Sequence, residues 1–218
     1  MFVGHWAPAL AASAASRKAP PLAVLFIGAQ LIDWAFFAFV LLGVEHMRFS
    51  PGISAMNPMD LYDMPYTHSL LGAAAFAGAV WLARSLVLKD RAGALIGAAV
   101  VLSHWLLDLL VHVPDLTLAG SPPKLGLGLW NHPAIEMPLE LGITFGALWW
   151  YVRMRRPAIG RVIVLAAVLL LLQAINWFGP VEPEVTAGTS YLAFFAYGLA
   201  TLAAWWMGKS EASQPGMG

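Results

Sequence analysis

His104 and Asp108 stand four residues apart in the apolar run Ser103-His104-Trp105-Leu106-Leu107-Asp108. On a helix that spacing places both side chains on one face, and His112 extends the polar stripe by a further turn. Imidazole nitrogen and carboxylate oxygen together form a donor set for zinc, or for manganese and iron where carboxylates dominate. Asp33, His68 and His5 lie in other apolar stretches of the same chain. A carboxylate at membrane depth stays protonated or needs a cationic partner, and no Lys or Arg shares the depth of Asp33 or Asp108. A divalent metal is the cation these residues could share.

The elements that position them follow from composition. Of 218 residues, 60% are hydrophobic and 11% are charged, against about a quarter charged in an ordinary soluble domain. Such a surface suits lipid rather than water. Six segments have the roughly 20 residues needed to cross a hydrocarbon core: 21–44, 67–88, 92–112, 134–152, 160–178 and 188–207. Each must be helical, because an isolated apolar span satisfies its backbone internally. Residues 3–16 are apolar but too short to cross, and predict a short or re-entrant helix. The expected architecture is an all-α, polytopic transmembrane bundle in one domain over 1–218, with six full spans and this N-terminal helix.

Ala11-Ala12-Ser13-Ala14 has the look of a signal-peptidase site, yet no basic residue precedes it and Arg17-Lys18 follow. That order is the reverse of a secretory signal, so the segment carrying His5 is expected to be retained. With alternating spans, ten of the twelve Lys and Arg fall on one side and only Arg48 and Lys124 on the other. The basic side is expected to be cytoplasmic. Asp33, His68, His104 and Asp108 then share the outer half of the bilayer. Zero net charge without a basic block argues against nucleic acid as a partner, and the absence of Cys excludes thiolate ligands and nucleophiles.

Other polar residues carry simpler readings. Glu136 suits the first turn of its helix and His112 the last. Asp60 and Asp63 read as loop carboxylates, and Glu45, His46 and His132 as interfacial. Glu140, one turn deeper than Glu136, is a candidate base or extra ligand. The small residues Gly72-Ala73-Ala74-Ala75 suit close helix packing.

At these positions the chain resembles a family of uncharacterised bacterial inner-membrane proteins described as membrane-bound, metal-dependent hydrolases. The resemblance rests on His5 in Gly4-His5-Trp6, Asp33 in Leu31-Ile32-Asp33-Trp34, Thr67-His68-Ser69, and the His104-x3-Asp108 helix, in that order over residues 1–115. Two features depart from the family pattern. A single Asp33 followed by Trp stands where Pro-Asp-x-Asp-His is usual, and Met64-Pro65-Tyr66 replaces an Arg-Gly before Thr-His-Ser. The resemblance implies an inner-membrane enzyme in which His5, Asp33, His68, His104 and Asp108 hold one or two divalent ions, zinc foremost; a spare carboxylate, Glu140 or Asp63, is the expected general base. Its depth suggests a lipid or lipid-linked ester or phosphoester as substrate, with membrane lipids as the surrounding partner. Two other classes fit the same polar layer: an ion- or proton-coupled transporter, and a structural subunit that binds another chain through it.

Overall fold

The computed structural model describes residues 1–209, most of them in helices. A 3-10 turn, Val3–Trp6, runs into helix α1 (Ala7–Ala15), with Pro8 in the first turn, where its missing N–H has no helical partner to lose. The short N-terminal helix does not lie beside the bundle but inside it. It packs against α2 (Leu22–Ala29), α5 (Arg91–Val111) and α6 (Pro133–Arg155), burying Val3, Trp6, Ala9 and Leu10. Alanine makes a thin helix, which lets three neighbours approach at once.

The segment 21–44 is two helices rather than one. α2 and α3 (Leu31–Leu41) meet at Gln30 with a bend of 52°. Gln30 leaves helical geometry, with φ −107° and ψ 12°. Carbonyls of Phe26 and Ala29, which an unbroken helix would use four residues on, instead accept from Trp6 Nε1 at 3.2 Å and from His104 Nδ1 at 2.8 Å. The break is therefore satisfied by side chains from elsewhere in the bundle.

Further on come α4 (Leu70–Leu82), continued by a π-helical turn over Ala83–Val87, then α5, α6, α7 (Ile159–Phe178) and α8 (Ala187–Gly208). Among the described residues, four helices are long and apolar enough to cross a membrane: Leu70–Val87, α5, α7 and α8. The count rises to five if α2 and α3 form one bent span. The sixth expected segment is a helix of 23 residues, α6, but it carries Glu136, Glu140, Arg153 and Arg155 and is the least apolar of the long helices. Side chains define the helix starts. Ser69 accepts from Gly72 N at 3.0 Å, Asp90 from Gly93 N at 2.9 Å, and Thr186 with Thr189 forms a capping box. The Gly93 N–H, and after it the Arg84 guanidinium, hold the Asp90 carboxyl below its ordinary pKa.

Two segments expected as loops fold into small hairpins at one end of the bundle. β1 (His46–Phe49) pairs antiparallel with β2 (Met59–Asp63), and β3 (Leu116–Thr117) with β4 (Lys124–Leu125). A two-stranded hairpin is marginal alone. Here Met47, Leu61 and Leu116 are buried in the main core, and Lys124 Nζ donates to the Tyr62 carbonyl at 2.9 Å, tying the hairpins together. Their place over the ends of α3, α4 and α5 puts them around the polar cluster.

Candidate metal centre

The four helical regions converge on the Asp108 carboxylate, which is 1% exposed. The Oδ2 side faces His104 Nε2 at 3.0 Å and His68 Nε2 at 3.7 Å. Asp33 Oδ1 completes that group, 3.4 Å from His104 Nε2 and 3.3 Å from His68 Nε2. On the Oδ1 side lie His5 Nε2 at 3.0 Å, His112 Nε2 at 3.3 Å and the Met1 amino nitrogen at 3.0 Å. The His5 ring stacks on that of His104, with centroids 3.7 Å apart. All five residues expected as ligands thus meet in one place.

Hydrogen bonding assigns the tautomers. His104 Nδ1 meets the Ala29 carbonyl, which can only accept, so Nδ1 carries a proton and, in the neutral ring, Nε2 holds the lone pair. His112 Nδ1 meets Asp115 Oδ1 at 2.9 Å with the same result. For His68 the chain is one step longer. Thr67 Oγ1 donates to Glu45 Oε2 at 2.6 Å and so is left to accept from His68 Nδ1 at 2.9 Å. Three imidazoles are therefore turned so that Nε2 points at the carboxylates.

This arrangement fits a cation. His104 Nε2 and Asp108 Oδ2 are both buried, lie 3.0 Å apart, and have no hydrogen-bond partner. Two lone pairs aimed at each other repel unless a positive charge lies between them. The groups His5–His104–Asp108 and Asp33–His68–His104 each place three ligand atoms within 4.8 Å of one another. Two ligands each about 2.0 Å from a tetrahedral zinc lie roughly 3.3 Å apart, which matches the separations of 3.0 to 3.4 Å around Asp33, His104 and Asp108. Among the described residues, the side chains paired with Asp33 are imidazoles and the Tyr197 hydroxyl, which donates to its Oδ2 at 3.3 Å.

Of the two carboxylates expected as bases, neither is placed alike. Glu140 borders the same cavity, but its Oε1 accepts from the backbone N–H of Phe2 and of Gly4, and its Oε2 from Gln173 Nε2 at 2.8 Å. It anchors the N-terminal segment that carries His5. Asp63 lies on β2, outside the cluster, where its Oδ2 meets His46 Nδ1 at 2.8 Å near the surface. Glu136 is fully buried, and neither of its oxygens has a hydrogen-bond partner.

Several participants escape the sequence reading. His112, read both as part of the polar stripe and as a favourable helix end, joins the cluster, and the Asp115 that holds its Nδ1 was not expected there. Glu45, expected at the interface, is fully buried and takes three hydrogen bonds, from the backbone of Tyr66 and Thr67 and from the Thr67 hydroxyl. Tyr197 comes from α8 with no local signal at all. The turn carrying Thr67 and His68 also explains Gly72: a Cβ there would lie 1.7 Å from the Tyr66 carbonyl oxygen. Comparison of the chain with protein-family models, with curated proteins and with solved structures returns no match.

Proposed function

We propose that the chain is a membrane-embedded, metal-dependent hydrolase of the bacterial inner membrane. The observation that carries this is the buried convergence of His104 Nε2 and Asp108 Oδ2, unpartnered at 3.0 Å, beside His68 and Asp33. These four residues would hold one divalent ion, and the imidazole content favours zinc. His5 and His112, on the other oxygen of Asp108, are the ligands available to a second. A bound ion would supply a water acidified toward pKa ~7 and would polarise the scissile group. The chain's own part is orientation. Ala29, Thr67 and Asp115 fix three imidazoles, and the burial of Asp108 keeps bulk water from competing. In the reaction a water oxygen bonds to the acyl carbon or phosphorus, the bond to the alcohol oxygen breaks, and the water's proton ends on that alcohol. Glu140, which borders the cavity, could carry the proton only by releasing a bond to Phe2, Gly4 or Gln173.

The resemblance of residues 1–115 to the membrane-bound hydrolase family supports the same reading; with α6 as a sixth span, the distribution of Lys and Arg would put the site in the outer half of the membrane. Purified protein should contain close to one equivalent of divalent metal, retained in His112→Ala and lost in His104→Ala and Asp108→Ala. Metal-free protein whose stability is unchanged in those variants would overturn the proposal. One observation favours a second reading, ion-coupled transport: the break between α2 and α3 lies against the polar cluster, as broken helices do in transporters. Uptake into sealed liposomes without turnover in detergent would decide for it.

A further inference from the structure

The cluster opens on a cavity of about 260 Å³ whose lining is of two kinds. At one end are Asp33, His68, Asp108 and His112. The rest is lined mainly by apolar side chains, among them Phe37, Leu172, Ile175, Leu192, Phe195 and Ala196. Ile175, Leu192 and Phe195 also stand 50%, 61% and 66% exposed. The apolar wall is thus continuous with the surface that α7 and α8 present to lipid. Ligand pockets that enclose a small molecule usually measure about 300–1,000 Å³. This one is smaller, so it can hold a reacting group and the first part of a chain, while the remainder must leave through the apolar mouth.

We infer that the substrate is an amphiphile drawn sideways from the outer leaflet between α7 and α8 on one side and α3 on the other. Its ester or phosphoester headgroup lies against Asp33, His68, Asp108 and His112, and its hydrocarbon chain runs past Leu172, Leu192 and Ala196 into the bilayer. The inference rests on the metal-site reading for the headgroup, but the chain slot stands on the cavity alone. A water-soluble ester of the same headgroup would have to cross that apolar mouth without a chain to hold it there.

The chain has no cysteine, so a single reporter can be placed at will. Ala196→Cys sits in the slot, Ala193→Cys is a second cavity reporter, and Leu171→Cys, exposed on α7 away from the cavity, is the outward control. Alkylation by a membrane-permeant maleimide is timed in phospholipid vesicles with dodecylphosphonate, methylphosphonate or dodecanol. Dodecylphosphonate should slow both cavity reporters about tenfold, the occupancy effect of a ligand at ten times its Kd, and leave Leu171→Cys unchanged. Methylphosphonate and dodecanol should have little effect. Equal slowing by methylphosphonate, or no slowing by any of the three, overturns the lateral slot even where the protein holds metal. Full protection by dodecylphosphonate in a His104→Ala background that keeps no metal leaves the slot standing and removes the metal reading instead.

Discussion

Thr67→Val exchanges a hydroxyl for a methyl at nearly constant volume and cuts one link in the Glu45–Thr67–His68 chain. The hydroxyl donates to Glu45 at 2.6 Å and accepts from His68 Nδ1 at 2.9 Å. Without it, the imidazole loses the contact that decides which nitrogen carries the proton, while Glu45 keeps its two backbone donors from Tyr66 and Thr67. Partners of this kind behind metal-binding histidines are worth 10–100-fold in affinity, or roughly 1.4–2.7 kcal/mol. Loss of a hydrogen bond to a charged group adds about 1.5–3 kcal/mol of instability to the folded protein with or without metal. Zinc affinity, measured by chelator competition on detergent-purified protein, should therefore fall at least tenfold, and Thr67→Ser should restore most of it. Thermal unfolding of the metal-free protein separates the two costs. An affinity within twofold of the parent, in a variant that unfolds at a lower temperature, would refute the claim that Thr67 orients a ligand.

Chelation should lower the unfolding temperature of the parent but not of His104→Ala, since zinc at one hundred times its Kd adds about 2.7 kcal/mol; equal shifts in both would contradict a His104-dependent site. Gly72→Ala places a carbon 1.7 Å from the Tyr66 carbonyl, and should cost about 3 kcal/mol or more, seen as lost expression of folded protein and of metal together. Arg155 donates to the Ser13 and Ser16 carbonyls at the end of α1. Arg155→Ala should destabilise by about 1–3 kcal/mol with metal content per folded molecule unchanged, and Arg155→Lys should rescue only part because it lacks the planar fork. Tyr197→Phe removes a single long bond to Asp33, so its effect on zinc affinity in the same competition assay should be smaller than that of Thr67→Val.

The polar cluster was legible because it broke a strong background. In a chain with 11% charged residues, Asp33, His104 and Asp108 inside apolar runs stand out by cost alone. The residues that orient its imidazoles were not legible for the same reason. Glu45 and Asp115 lie in segments polar enough to pass as loop, and only folding shows them buried against His68 and His112. Apolarity located the long helices but could not locate the break at Gln30, since no proline marks it. Its cause is tertiary, in the Trp6 and His104 side chains that take the freed carbonyls. Alternating burial over 46–49 and 59–63 could have indicated the first hairpin, but in short strands that pattern is easily mistaken for irregular loop.

The residues that converge on Asp108 all lie between Met1 and His112, whereas the apolar wall in front of them is built largely from α7 and α8. The lining of the cavity can therefore change with little change at the cluster itself. Substitutions at Leu172, Leu192, Phe195 or Ala196 can change which molecules reach the polar end while every nitrogen and oxygen around Asp108 stays in place.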